Sequence, residues 1–127
     1  MALLTELFTW WNRQTLGTRL FTWRKGEQVG SDTLGNTYYR ERNGNRRWVI
    51  YGKGSDSSTV PPEWHGWLHH TVDETPDQAG YTEREWFRPH VPNMTGTDMA
   101  YRPPGSTLRA GERPPATGDY DAWTPSD

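Results

Sequence analysis

Apolar residues recur with different spacings along this chain, and each spacing predicts a different element. Over residues 3–13, Leu3, Leu4, Leu7, Phe8, Trp10 and Trp11 fall on one broad helical face, with Thr5, Glu6, Thr9, Asn12 and Arg13 opposite. This predicts an N-terminal amphipathic helix with Gly17 as its stop. Its polar face has one arginine, so burial against protein is preferred over an electrostatic membrane contact. Residues 19–24 and 36–51 read as strands. Asn43-Gly44 predicts a two-residue hairpin turn of the primed type. The register then follows: Arg42 faces Asn45, Glu41 faces Arg46, Arg40 faces Arg47, Tyr39 faces Trp48, and Tyr38 faces Val49. Glu41–Arg46 and Tyr39–Trp48 are favourable cross-strand pairs, each worth about 0.2–1 kcal/mol. Arg40 opposite Arg47 is unfavourable and calls for an acidic neighbour, in the tail or in a partner. The pleat sets Tyr39, Trp48 and Ile50 on one face and Tyr38, Val49 and Tyr51 on the other. Both faces need a cover, and one short helix cannot supply two, which points to an outside surface.

The Pro61-Pro62-Glu63-Trp64-His65-Gly66-Trp67-Leu68-His69-His70 run predicts a short helix near 62–70. Proline suits its first turn and Glu63 its positive end. Trp64, Trp67 and Leu68 share one face, and Gly66 keeps the helix short. Beyond residue 70 single aromatics punctuate an irregular, extended chain: Tyr81, Trp86, Phe87, Tyr101, Tyr120 and Trp123. Pro103-Pro104 and Pro114-Pro115 favour extension. The expected fold is therefore small and α+β. It has an amphipathic helix over 1–16, a short antiparallel sheet with a short helix over 17–72, and a Pro-rich, partner-wrapping tail over 73–127.

Composition raises the question of a core. Leu, Ile and Val total 14 of 127 residues, with three Phe but eight Trp and six Tyr. So few aliphatics make a thin core for a chain of this length. Trp and Tyr are amphipathic and suit interfaces. A small ordered nucleus is expected, with much of the chain ordered by a partner. All ten prolines lie after residue 60, and charge divides nearby. Residues 1–54 carry nine Lys/Arg and four Asp/Glu, net +5; residues 55–127 carry five and twelve, net −7.

Candidate chemistry is sparse. The chain has no cysteine, which removes disulfides, thiol nucleophiles and cysteine-ligated clusters. His65 and His69 have the i, i+4 spacing of a zinc pair, with His70, Asp73 or His90 as a third ligand. Gly66 occupies the place of the metalloprotease glutamate, and packed histidines are the preferred reading, so no metal is expected. The turn Asp32-Thr33-Leu34-Gly35-Asn36 has too few carboxylates for a calcium loop. No phosphate loop, nucleophile elbow or dinucleotide fingerprint occurs. No catalytic residue and no cofactor are expected, and nothing reads as a signal peptide or membrane span. The rival class is single-stranded nucleic-acid binding, with Tyr38, Tyr39 and Trp48 as a stacking platform beside Arg46 and Arg47. The slightly acidic whole, at −2, weighs against it.

Four stretches carry a resemblance. They are Val29-Gly30-Ser31-Asp32-Thr33-Leu34-Gly35-Asn36-Thr37-Tyr38-Tyr39-Arg40-Glu41, Arg46-Arg47-Trp48-Val49-Ile50-Tyr51, the run Val60 to His69, and Asn93-Met94-Thr95-Gly96-Thr97 with Tyr101-Arg102-Pro103-Pro104-Gly105-Ser106. Together they resemble the family of the 17.2 kDa accessory subunit of respiratory complex I, from about residue 17 to residue 106. The Pro-Pro-Glu-Trp-His-x-Trp-Leu-His run is the most specific part. The resemblance implies a supernumerary subunit without cofactor on the peripheral arm, near the membrane arm. Its implied partners are the core iron–sulfur and quinone-side subunits and other accessory subunits, with no nucleic acid and only peripheral membrane contact. Such relatives occur in mitochondria and in some bacteria; the compact chain without an obvious mitochondrial presequence favours a bacterial member, on the cytoplasmic side of the inner membrane, with the matrix side expected in a mitochondrion. A paralogous assembly factor is the alternative within the same resemblance. The residues expected to meet partners are Leu4, Phe8, Trp11, Tyr38, Arg40, Arg47, Trp64, Trp67, Tyr101 and Trp123.

Overall fold

The computed structural model describes residues 4, 7, 8, 14–53 and 56–125. Helix α1 (Leu16–Lys25) leads directly into a three-stranded antiparallel sheet of β1 (Gly26–Ser31), β2 (Thr37–Glu41) and β3 (Arg47–Ile50), in that spatial order. A 3-10 turn (Ser57–Thr59), helix α2 (Pro62–Leu68) and the short helix α3 (Pro76–Ala79) follow. The mixed α+β class is as expected. Leu4, Leu7 and Phe8 are helical and exposed. The rest of the helix expected over 3–13 lies outside the described residues.

The strand expected over 19–24 is instead the body of α1. Gly17 stops nothing and sits in the first turn of that helix. Thr15 caps it, its Oγ1 accepting the Thr18 N–H at 3.2 Å, and Arg24 and Lys25 oppose the negative end of the helix dipole. The cap and the basic last turn decide the segment.

The β2–β3 register is the expected one, with Tyr38 opposite Val49, Tyr39 opposite Trp48 and Arg40 opposite Arg47. The turn is different. Asn43 and Gly44 have no positive φ, which a primed turn requires. The cause is the central position of β2. Its peptide groups alternate between neighbours, and Arg42 N–H goes back to the Lys25 carbonyl at 3.0 Å. Glu41 N–H is then the last donor facing β3, bonded to the Arg46 carbonyl at 2.9 Å. Four residues span the loop in place of two.

Each face of the sheet has its own helix. On one, Tyr38 and the α2 tryptophans form the core with Val60. The Tyr38 and Trp64 rings stack at 4.0 Å; Trp67 meets both edge-on, at 6.5 Å and 5.6 Å. Trp64 and Trp67 share a face because three residues separate them. Gly30 makes the stack fit: a Cβ there would lie 2.7 Å from the Trp64 ring. Beside it β1 bulges between Gln28 and Gly30, which shifts the β1–β2 register. On the other face Phe21 of α1 lies 5.2 Å from Trp48, whose Nε1–H donates to Thr22 Oγ1 at 3.0 Å. The expectation that only an outside surface could cover both faces is corrected accordingly.

Contacts divide the chain into two units, Met1–Asn93 and Met94–Asp127. The first is fastened at its far end to Ser58, whose carbonyl meets His90 Nε2 at 2.7 Å and whose Oγ accepts the Asn93 N–H. The second is a series of turns. In it Arg113 pairs with Asp119, and Asp119 Oδ2 also accepts the Ala116 N–H at 2.7 Å. The Arg113 guanidinium, then that N–H, hold the Asp119 carboxyl below its ordinary value.

Candidate interaction surfaces

Asp32 organises the turn before β2. Its Oδ1 accepts the N–H groups of Leu34 and Asn36 at 2.9 and 3.0 Å. Its Oδ2 accepts Asn36 Nδ2 at 2.8 Å and the Tyr38 hydroxyl at 2.7 Å. Buried Asn36 carries the tie onward, donating to the Thr59 carbonyl and accepting the Gly52 N–H. Gly52 is required there, because a Cβ would fall 2.6 Å from the Gly35 carbonyl. Burial, then the bond to Asp32, drives the Tyr38 phenol well above its ordinary value. With four donors on it, the carboxylate braces the fold.

Both arginines find their acid inside the chain. Arg40 pairs with Glu27 of β1 at 2.9 Å. Arg47 lies over the Trp67 ring at 4.9 Å and donates to the Trp67 and Val72 carbonyls and to Asp73. It thereby meets one carbonyl in the last turn of α2, where a cation is also favoured by the dipole, and one just beyond it. The expected Glu41–Arg46 pair does not form: Glu41 reaches Lys25 at 3.9 Å, and Arg46 is exposed with no partner among the described residues.

Helix α2 ends in a Schellman motif. His70 N–H bonds the Trp67 carbonyl and Thr71 N–H the Gly66 carbonyl. His70 takes the left-handed position with φ 57°, a place usually given to glycine and costing another residue about 1 kcal/mol. His65 and His69 rings lie 4.1 Å apart. Of the candidate third ligands, Asp73 is paired with Arg47 and His90 holds Ser58. Among the described residues no three His, Asp or Glu side chains gather as for a metal.

Of the side chains expected to meet partners, Tyr38, Trp64 and Trp67 are instead core, at most 5% exposed. That also corrects the nucleic-acid reading: Tyr38 is stacked on Trp64, Trp48 lies tilted against Phe21, and Arg47 lies over Trp67, so these groups present no base-stacking platform among the described residues. Leu4, Phe8, Tyr101 and Trp123 are exposed; Trp11 lies outside the described residues. Sequence reasoning missed Leu16, Leu20 and Trp23. They form an exposed stripe at i, i+4 and i+7 on α1, opposite Phe21 and Thr22. The signal was their helical spacing, hidden by reading the segment as a strand.

A three-stranded sheet with a helix on each face, a saturated carboxylate and large exposed aromatics defines a small α+β packing protein. Among the described residues it presents large exposed aromatics and no cluster of His, Asp and Glu side chains gathered as for a metal. Comparison with known proteins gives this class its family: residues 26–125 match the family of NADH ubiquinone oxidoreductase subunit NDUFA12, and the chain belongs to it. It is 46% identical over 84 residues to "NADH dehydrogenase [ubiquinone] 1 alpha subcomplex subunit 12" of Dictyostelium discoideum, covering 62% of this chain and 61% of that protein. The Bos taurus subunit of the same name is 38% identical over 109 residues, 74% of this chain and 75% of its own. A bacterial relative from Rickettsia prowazekii, described as uncharacterized, is 44% identical over 55 residues, 39% of this chain and 55% of that protein. No described helix is long and apolar enough to cross a membrane.

Proposed function

We propose that this chain is a non-catalytic accessory subunit of respiratory complex I, the NADH:ubiquinone oxidoreductase. On this reading it packs on the peripheral arm near the junction with the membrane arm, against iron–sulfur and quinone-side core subunits and neighbouring accessory subunits. It holds no cofactor of its own and supports assembly and rigidity of the electron-transfer path. Its place is the inner membrane, on the cytoplasmic side in a bacterium and the matrix side in a mitochondrion, as a peripheral component. Family membership supports the assignment, and one observation carries the mode of action. Trp86, Met99, Tyr101, Leu108, Tyr120 and Trp123 are each more than 70% exposed. Apolar side chains spaced along a polar, turn-rich chain suit anchoring across a broad partner surface.

The test is to tag the chain in its host, isolate the complex from membranes, and compare full-length protein with a variant lacking 94–127. The wild-type chain is expected to co-purify with NADH-oxidising complex. The truncated chain should dissociate at lower salt and detergent, with cluster spectra unchanged. Equal retention of the truncated chain overturns the anchoring role, and absence of the wild-type chain from the complex overturns the assignment.

A further inference from the structure

The sheet has two open edges, and they are unlike. The β1 edge is kinked by the bulge between Gln28 and Gly30, a device that blunts pairing. The β3 edge is regular. Because Glu41 N–H bonds the Arg46 carbonyl, the peptide groups of Arg46, Trp48 and Ile50 face β2. By alternation the N–H and C=O groups of Arg47 and Val49 point away from the sheet. No backbone bond among the described residues takes them up.

A cleft of about 610 Å³ runs along this edge. The start of α1, with Gly17, Thr18 and Phe21, walls one side, and His70 stands at the other. Phe21, Trp48 and Val49 make its apolar floor. Among the described residues its charged lining is Arg46 and Arg47, with His70 beside them, and no acidic side chain borders it. Arg47 is committed to the Trp67 and Val72 carbonyls and Asp73. Arg46 is exposed with no partner among the described residues. His70 stands at a left-handed position where glycine would relieve the backbone but remove the imidazole. A left-handed His beside an open edge and an unpaired guanidinium points to a role for its side chain.

We propose that this edge cleft receives an extended, acidic segment of a neighbouring subunit. The segment adds to the sheet as a fourth strand through the Arg47 and Val49 peptide groups and sets a carboxylate against Arg46 and His70. The proposal rests on the reading of the chain as a complex subunit and names the chemistry of one of its neighbours. Charge selects an acidic occupant. A second copy paired through the same edge would bring another basic rim into an already basic cleft.

Three measurements on the full-length chain test it. Hydrogen exchange, resolved at single amides, compares free chain with isolated complex; the Arg47 and Val49 amides are expected to slow by about tenfold or more on assembly, and unchanged exchange overturns the proposal. A benzophenone amino acid in place of Asn45 should cross-link, inside the complex, to a peptide of another subunit carrying Asp or Glu beside the linked residue. A link to residues 1–13 of the same chain, to a second copy, to lipid, or to a peptide without an acid overturns it. Arg46→Glu should leave the complex at lower salt and Arg46→Lys should stay near wild type. His70→Gly should raise the thermal midpoint of the free chain yet weaken retention, opposite signs that a purely structural role would not give. Retention of both Arg46→Glu and His70→Gly at the wild-type level overturns the proposal. Loss of the wild-type chain itself from the complex would instead remove the subunit assignment, and the docking slot with it.

Discussion

Tyr38 ties β2 to α2, with its ring stacked on Trp64 and its hydroxyl on Asp32. Replacing it by Phe keeps the stack and leaves Asp32 one donor short. The expected cost is about 1–2 kcal/mol, read as a lower denaturation midpoint with unchanged slope. The same contacts set an alkaline limit. Burial and Asp32 raise the folded-state pKa of the phenol above its unfolded value. The linked stability is therefore complete below pH about 10 and lost as pH rises beyond it. In a tyrosinate absorbance titration Tyr38 should stay silent until the chain unfolds. Ionisation of all six tyrosines in one non-denaturing step would refute this. At this scale the pairing of Tyr38 with Val49 was legible from the register, and the need of Arg40 and Arg47 for acids was too. The identity of those acids was not. Glu27 is thirteen residues from Arg40, and Asp73 twenty-six from Arg47, and only the folded path of the chain brings them together.

Among the elements, α2 was readable because Pro62, Glu63 and the Trp64/Trp67 spacing all agree on a short helix. Helix α1 was misread because its apolar residues lie on two opposite faces, so no single helical stripe stands out in a short window. One face, with Phe21 and Thr22, serves the sheet; the other, with Leu16, Leu20 and Trp23, is exposed. The helix depends on its cap. Thr15→Ala should cost about 1 kcal/mol, visible as a lower thermal midpoint together with faster exchange of the Thr18 amide. An unchanged midpoint and unchanged exchange would show that packing on Trp48 holds α1 without the cap. The hairpin shows a related limit. Asn43-Gly44 identified where the chain reverses, but the hydrogen-bonding parity of β2 chose the loop. Arg42 is claimed by Lys25, and that demand comes from β1, which lies outside the hairpin.

For the molecule as a whole, the buried hydrophobic core comprises Tyr38, Val60, Trp64 and Trp67 among the described residues. All four belong to the first unit, so the fold of that unit does not need the second. Removing 94–127 should leave the near-ultraviolet dichroism of the Trp64/Trp67 cluster intact and the thermal midpoint little changed. Collapse of that signal would show that the turns of Met94–Asp127 are needed for folding as well as for anchoring. The loss of retention expected of the same truncation would then reflect unfolding, so the two measurements belong together.

The sequence by itself determined the α+β class, the β2–β3 register, helix α2 and the family. Each is written in local spacing, in turn and cap residues, or in motif runs that do not depend on distant parts of the chain. Tertiary structure alone decided that Tyr38, Trp64 and Trp67 face inward, that Arg40 and Arg47 are paired within the chain, and that Arg46 and His70 border an open strand edge. The reason is physical. An aromatic or a charge has the same local pattern whether its partner is its own chain or another, and only the three-dimensional path decides which one is within reach.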